Sequence, residues 1–349
     1  MSEHGREERD EKYDECEKNK EESEWITMGT FGEIVNPWQT ASQFRCQWDR
    51  LWSDDFGSFE DTKKVPQFGA IPNDTLQFFS VQLCGTRRNL KLPVDVFGMI
   101  AMRDYIDRNR NIIFNRTRDQ CQTLTREDPY LVLTGPTRAV MARVSDPVVI
   151  EVELTVKGTT KSEDKYLSIL VAPVSISNRE KSALLNYSFT SKLSTLEFKI
   201  GHIVSSVEAT ISVAIIDGSW PSGVRGVFAA LATGSCRGPT NSIDDEKIIL
   251  FDSGSKKLPV CDDKLELSRR VVSVEINGNL IVYVEAVHRG MKLAGEHMDF
   301  KACTVGTSES DVVNLGFCKM KVFVTWSLIS YYSAPRKSVA TGVKLEAGM

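Results

Sequence analysis

The chain has 349 residues, which is enough for two domains of ordinary size with a hydrophobic core each. Hydrophobic residues make up 41% of it and charged residues 26%, proportions typical of a globular protein in water. A formal net charge of -4 gives no global reason to expect a nucleic acid or an anionic membrane as partner, because both bind basic surfaces. No apolar run approaches the roughly 20 residues of a membrane helix, so we predict neither a nucleic-acid partner nor a transmembrane segment.

The N-terminal segment, residues 1–30, begins with a long run of charged and polar residues. Such a run buries too little apolar surface to offset its ordering entropy, so we predict a disordered tail. It also lacks the apolar region of a signal peptide, and we therefore expect a location in the cytosol or nucleus and no secretion. The eight cysteines are scattered without a CxxC pair, which argues against a zinc site or a disulfide framework.

A leader at residues 31–65 contains a predicted amphipathic helix at 40–53. Four apolar residues spaced i, i+4, i+7 and i+8 fall on one face of it: Phe44, Trp48, Leu51 and Trp52. Two tryptophans on one stripe need a large apolar surface to cover them. The helix either docks on the domain that follows it or binds a partner protein in trans, and these four residues are the candidate binding residues.

From about residue 66 the apolar period changes to two, which is the period of β-strands. The apolar runs are short, rich in Val, Ile, Phe and Thr, and bounded by Gly, Pro, Asn, Asp or Ser. No helical pattern separates them, so the sequence predicts an all-β, antiparallel sandwich architecture. The predicted strands lie at 75–83, 94–102, 111–114, 130–133, 166–174, 196–200 and 207–216.

Two passages of the chain read alike, VMARVSDPVVIEVEL at 140–154 and VVSVEINGNLIVYVEAV at 271–287. In the second passage Asn277-Gly278 stands between alternating apolar runs, which predicts a hairpin with a type I′ turn. The likeness extends outward over a whole domain, so we predict two tandem, internally duplicated sandwiches. We assign them to 66–190 and 191–333, with the boundary open within 178–206, where both could share a strand, and a disordered tail at 334–349.

No catalytic constellation is recognisable in the sequence. It contains no GxSxG nucleophile turn and no phosphate-binding glycine loop between a strand and a helix. His288, His297 and Cys303 follow the second passage in a predicted loop region, and their spacing matches no zinc motif. We therefore predict no catalytic residues, no metal ligands and no cofactor.

Calcium is the alternative for a protein with two sandwiches, because loop carboxylates can converge at one end of such a domain. Calcium takes six to eight oxygen ligands, so several carboxylates would have to meet. The first copy offers Asp95, Asp104, Asp107, Glu163 and Asp164, and the second offers Asp262 and Asp263. A calcium- and phospholipid-binding tandem module of the C2 type is therefore one alternative function.

The string TGPTRAVMARVSDPVVIEVELTVKGTTKSEDKYLSILV and the terminal LGFCKMKVFVTWSLIS carry a family resemblance. They resemble a plant domain family of unknown function, known mainly from cereal grasses, over residues from about 66 to 332. Some members of that family are joined to ribosome-inactivating domains, which remove adenine from ribosomal RNA. The resemblance therefore implies a stress or defence role, and a ribosome-inactivating N-glycosidase, or an accessory to one, is a second alternative.

Ribosome-inactivating enzymes carry a catalytic Glu and Arg as ExxR on a helix. This sequence has ExxR as Glu3–Arg6 in the charged tail and as Glu266–Arg269. The second pair stands in a segment of period two, so its side chains should point to opposite faces. We therefore expect a non-enzymatic protein-interaction or scaffold module, with a protein partner whose identity the sequence does not give.

Overall fold

The computed structural model describes residues 70–328, apart from 107–109, 146, 175, 177–179, 235–242 and 255. The predicted helix at 40–53 and both predicted tails lie outside this range. Within it the chain is all-β, as predicted, with helix confined to one-turn 3-10 segments at Arg118–Gln120, Lys161–Glu163 and Ile243–Asp245. No helix among the described residues is long and apolar enough to cross a membrane.

The strands of the described chain are numbered here in chain order. Those of the first half are β1 (Asn73–Thr86), β2 (Val94–Arg103), β3 (Asn111–Arg116), β4 (Gln122–Leu124), β5 (Val140–Met141), β6 (Val148–Val156), β7 (Lys165–Val174) and β8 (Ala183–Ser191). A long strand, β9 (Ser194–Gly218), follows. Those after it are β10 (Arg225–Thr233), β11 (Ile248–Asp252), β12 (Val260–Cys261), β13 (Lys264–Leu265), β14 (Val271–Glu275), β15 (Asn279–His288), β16 (Met291–Lys301), β17 (Gly306–Glu309), β18 (Val313–Asn314) and β19 (Cys318–Ser327).

These strands form three antiparallel sheets. A ten-stranded sheet, called here the shared sheet, is built on β9, which pairs with β1 and β8 along its first part and with β14 and β19 along its second. The first outer sheet has the order β3-β2-β6-β7, with β4 beside β2, and the second outer sheet has the order β11-β10-β15-β16. Each outer sheet packs against one half of the shared sheet, which gives the two predicted sandwiches.

Each sandwich has its own hydrophobic core, and β9 supplies side chains to both. Leu196 and Phe198 belong to the first core, and Val207 and Ile211 to the second. The strand passes between the cores around Ser205, whose φ of 45° is unusual for a residue with a side chain. A strand shared by both sandwiches therefore exists, while the domain boundaries at 66–190 and 191–333 stay a prediction.

The internal duplication is visible in the strand order. The first outer sheet places its strands as β3-β2-β6-β7, and the second places the corresponding strands as β11-β10-β15-β16. The two look-alike passages also take equivalent positions, because each runs from a strand of the shared sheet into the third strand of an outer sheet. The repeated sequence thus encodes one step of the architecture twice.

The structure does not contain the hairpin predicted at Asn277–Gly278. β14 pairs with β9 in the shared sheet, whereas β15 pairs with β10 and β16 in the second outer sheet, so the turn crosses between layers. Neither Asn277 nor Gly278 has a positive φ, and the predicted type I′ turn is therefore wrong. Glycine is needed there for another reason, because a Cβ at 278 would lie 2.2 Å from the Thr233 carbonyl oxygen.

A hairpin with positive φ at both turn residues lies further along the chain, at Arg289–Gly290. These residues have φ values of 50° and 79°, and His288 pairs directly with Met291 across the turn. This geometry is the one that type I′ turns give to two-residue hairpins. It starts β16 in the segment that the sequence predicted to be a loop.

Candidate functional site

The residues predicted to form a partner-binding helix face lie outside the described part of the chain. They are Phe44, Trp48, Leu51 and Trp52. Whether this helix docks on its own chain or on a partner therefore stays a prediction. A site within the described residues has to be built from strands, turns and loops.

Asp104, one of the predicted calcium ligands, is used inside the fold. Its side chain is fully buried, and its two oxygens accept hydrogen bonds from Arg138 Nη1 and Nη2 at 2.5 and 2.7 Å. The backbone N–H of Met141 donates to the same carboxylate at 2.8 Å. Because these donors occupy the carboxylate, Asp104 stabilises the junction between β2 and β5 and is not available to calcium.

Two further candidates are likewise engaged by neighbours. Asp95 accepts a hydrogen bond from the Thr123 hydroxyl at 2.6 Å. Asp164 accepts from Arg118 Nε at 2.9 Å, and this hydrogen bond lowers the pKa of the carboxyl below its usual value. Arginine beside a carboxylate competes with a cation for it, so this loop is built on an ion pair.

The remaining calcium candidates do not converge. Glu163 closes a one-turn helix by accepting from the backbone N–H of Thr160 at 3.0 Å. Asp262 and Asp263 are exposed in the turn between β12 and β13, and Asp107 lies outside the described residues. Among the residues described, no group of three or more His, Cys, Asp or Glu side chains could hold a metal ion.

A buried carboxylate that the sequence analysis missed lies on β6. Glu151 is fully buried and accepts from Arg103 Nε at 3.1 Å and from Arg110 Nη2 at 2.9 Å. One partner comes from the end of β2 and the other from the residue before β3, so the cluster ties three strands together. Buried charges paired in this way hold structure together and are costly to break.

His202, on β9, pairs with Asp74, which is partly exposed. The imidazole is fully buried, and its Nε2 lies 2.9 Å from Asp74 Oδ2, while Asp74 Oδ1 accepts from the Ser205 N–H at 3.0 Å. Burial would raise the pKa of Asp74, but these two hydrogen bonds outweigh it and lower the pKa. His202 Nδ1 has no hydrogen-bond partner, so no described hydroxyl or thiol is placed beside it as a nucleophile.

His288, His297 and Cys303 do not form a cluster. The predicted loop region that holds them is wrong for the two histidines, because His288 ends β15 and His297 lies within β16. His297 is opposite Tyr283, five residues before His288 on β15, which separates the two imidazoles by roughly 17 Å along the strand. That distance excludes a common metal ion.

The ExxR pair of residues Glu266 and Arg269 is split by burial. Glu266 is exposed, whereas Arg269 is 3% exposed and donates to the carbonyls of Gly135 (2.9 Å) and Phe78. Burial lowers the pKa of Arg269 to about 10. Arg269 thus fastens the second half of the chain to backbone of the first half, and it is not paired with Glu266 for catalysis.

The free edges of the outer sheets offer a different kind of site. An unpaired strand edge can accept a strand from another chain, and folded proteins usually cover such edges. The edge of β3 is covered, because the N–H groups of Thr134 and Gly135 donate to the Ile113 carbonyl at 2.9 and 3.2 Å. The edge of β11 is also covered, because the Arg269 N–H donates to the Leu250 carbonyl at 2.9 Å.

The edge of β7 is covered by the hairpin between β8 and β9. The Leu193 N–H donates to the Leu167 carbonyl at 3.0 Å, and the Ser191 hydroxyl donates to the Ile169 carbonyl at 2.5 Å. Pro173, near the end of β7, has no N–H to offer. The first outer sheet is therefore closed on both sides.

Among the residues that the structure describes, nothing covers the corresponding edge of the second outer sheet, along β16; we call it the open edge. Within the described residues, the one bond to the β16 backbone from outside its ladder with β15 is a weak one, from the Cys303 thiol to the Lys301 carbonyl at 3.5 Å. No proline interrupts its 11 residues, and Met291 and Leu293 are 71% and 57% exposed. Such a strand is a template for strand addition.

The two faces of β16 differ in chemistry. Met298 and Phe300 point inward, next to the second core. His297 and Asp299 are exposed on the outer face, where the His297 ring lies 6.0 Å from that of Tyr283. The open edge thus presents backbone hydrogen-bonding groups between an apolar row and a polar row.

Comparisons with known proteins place the chain in a family without defining a site. No curated protein matches it. Among solved structures, human GIVD cytosolic phospholipase A2 matches at 8% identity and a TM-score of 0.24, over 74% of this chain and 31% of the phospholipase chain. The pair of C2 domains of extended-synaptotagmin 2, in its calcium-bound form, matches at 11% identity and a TM-score of 0.22, over 75% of this chain and 100% of that one.

Likeness at these scores carries no argument about function, and this chain spans less than a third of the phospholipase. The match to a protein-family model is more extensive, because it includes most of the chain and nearly all of both sandwiches. It covers residues 75–324. The chain belongs to the family described as Domain of unknown function (DUF6598).

Proposed function

We propose that the chain is a non-enzymatic protein-interaction module that binds an extended partner segment along the open edge of β16. The observation that carries this proposal is the difference between the two outer sheets. Within the described part of the chain, both edges of the first outer sheet are covered by hydrogen bonds, whereas β16 leaves a full strand uncovered in the second. In strand addition, main-chain hydrogen bonds supply affinity and alternate side chains supply specificity.

The non-enzymatic part of the proposal is supported by the ionisable groups of the described residues. Asp104, Glu151 and Arg269 are buried, and each is engaged in fastening strands or loops to one another. A location in the cytosol or nucleus and a role in stress or defence, both expected from the sequence, belong to the same proposal.

Random peptides displayed on phage and selected against the purified chain test this function. We expect selected peptides to alternate apolar and polar residues, and to bind Leu293→Lys about tenfold more weakly, because a charge replaces an exposed apolar contact. The matched control is Ile249→Lys, which changes a residue 46% exposed on the covered strand β11 and should leave affinity unchanged. Equal loss in both variants, or adenine release from ribosomes by the purified chain, would contradict the proposal.

A further inference from the structure

We infer that the segment bound at the open edge is β16 of a second copy of this chain. This inference rests on the proposed function and names its partner. Two copies related by a twofold axis would pair β16 with β16 in antiparallel fashion, and two four-stranded outer sheets would become one continuous sheet. The dimer would close the one outer-sheet edge that the described chain leaves open.

Symmetry restricts how the two strands can pair. Residues directly opposite each other in an antiparallel pair share a face, so the axis must pass through a residue of β16. An axis at Glu296 or at Asp299 would set two like charges opposite each other, which is destabilising. An axis at His297 would leave Asp299 opposite Gly295, without a partner for its carboxylate.

An axis at Met298 gives complementary pairs. It places Asp299 opposite His297 of the second copy, and the symmetry repeats this pair, so each imidazole N–H can donate to a carboxylate. Met298 then meets Met298 of the second copy on the inner face, beside the core it already contacts. Lys301 falls opposite Gly295, over which the Lys292 side chain of the same strand lies while its Nζ donates to Glu285 at 3.2 Å.

Phe300 falls opposite Glu296 in this register, which is not a complementary pair. An axis at Phe300 would pair Asp299 with Lys301, but it would align only residues 299–301 of β16 with one another, whereas an axis at Met298 aligns the seven residues 295–301. The longer pairing favours the axis at Met298.

The exposed apolar residues around β16 support the same pairing independently of charge. Met291 and Leu293, at the start of the strand, are 71% and 57% exposed, and Val305, just after its end, is 52% exposed. Antiparallel pairing brings the start of one strand next to the end of the other. Both exposed groups would thereby lose contact with water, which favours association.

Sedimentation equilibrium of the full chain, from about 1 to about 100 µM, tests the pairing and its register. We expect the wild type to form dimers. His297→Asp should weaken the dimer about tenfold, because it creates two like-charge pairs. The double variant His297→Asp/Asp299→His should restore the dissociation constant to within about threefold, because it recreates both pairs in reverse. Circular dichroism of each variant checks that the sheets are intact.

Cross-linking at the axis provides a second measurement. In the proposed register the two copies of residue 298 are about 4.5–5.5 Å apart at Cα, which is within disulfide range. Mild oxidation should therefore link Met298→Cys into covalent dimers, whereas Ile249→Cys and the wild type, with its own cysteines, should stay unlinked.

A monomer at every concentration overturns the inference, as does a dimer that neither cross-links at 298 nor responds to the charge swap. If such a monomer still binds peptides through β16, the proposed function stands without the dimer; if dimers form but no peptide binds, binding at the open edge is restricted to the second copy.

Discussion

A substitution of Gly278 distinguishes two backbone geometries: the observed crossing between the two layers and the hairpin predicted from the sequence. A Cβ at this position would lie 2.2 Å from the Thr233 carbonyl oxygen, at least about 1 Å too close. Thr233 pairs with Asn279 in the ladder between β10 and β15, and the Gly278 carbonyl accepts from the Ala302 N–H at 3.2 Å. The turn is thus held on both sides and cannot move away freely.

The expected cost of Gly278→Ala follows from these contacts. Inserting a methyl group into packed surroundings costs about 1–3 kcal/mol, and the loss of one neighbouring backbone hydrogen bond adds about 1 kcal/mol. We therefore expect a loss of about 2–4 kcal/mol in the free energy of unfolding. Asn277 is exposed and has no positive φ, so Asn277→Ala should cost less than about 0.5 kcal/mol.

Urea unfolding followed by tryptophan fluorescence measures both variants. Trp326 and Trp220 are both buried in the second core, so their part of the emission reports on the sandwich that contains the turn, while Trp25, Trp38, Trp48 and Trp52 contribute the rest of the signal. A type I′ hairpin would give a different pattern, because Ala at a positive φ costs about 1–2 kcal/mol at position 277 as well. Equal losses for the two variants, or no loss for Gly278→Ala, would refute the crossing.

Three further predictions concern polar groups that are buried or partly buried. Asp104→Asn should lower the free energy of unfolding by about 3–5 kcal/mol with or without calcium, because it breaks a buried ion pair; calcium-dependent stabilisation of the wild type would contradict this. Asp74 has a folded-state pKa below 3.8, so its contribution is present above pH 3.8 and lost as the pH falls through the lower, folded value; acid titration should show that part of the pH dependence missing in Asp74→Asn. Arg269→Met should cost about 2–4 kcal/mol in urea unfolding, because two carbonyls, of Gly135 and Phe78, lose their donor; an unchanged midpoint would contradict that role.

The all-β architecture and its duplication were predictable because the strands that line the cores alternate. β6 and β15, for instance, place buried residues at every second position, and the period survives even where Glu151 is buried on the other face. Apolar and polar residues do not alternate in this way along the edge strand β16. Only one side of this strand is covered, and the polar residues Glu296, His297 and Asp299 interrupt the apolar period. Its segment therefore carried no strand signal.

The crossing at Gly278 was misread for a related reason. Asn-Gly between apolar runs fits a two-residue hairpin, but it also fits a tight passage between layers in which glycine avoids a backbone oxygen. Which geometry occurs depends on whether the flanking strands pair with each other or with strands elsewhere in the chain. That is a tertiary property, and a single sequence does not contain it.

The open edge was beyond sequence reasoning on the same grounds. β7 and β16 occupy equivalent positions, and the difference between them lies in contacts made by a distant segment, the hairpin around Leu193. Pro173 in β7 is the one local signal of a protected edge. The ion pairs of Asp104 and Glu151 were similarly hidden, because their arginine partners come from other strands and loops.

Backbone hydrogen exchange along β16 and β7, measured as a function of protein concentration, tests the central claim that one edge is open and the other closed. In dilute solution, we expect alternate N–H groups of Met291–Lys301 to exchange rapidly while those of Lys165–Val174 stay protected. At high concentration, where β16 of a second copy covers the edge, the β16 groups should become protected as well. Uniform protection of both strands at every concentration would contradict the account.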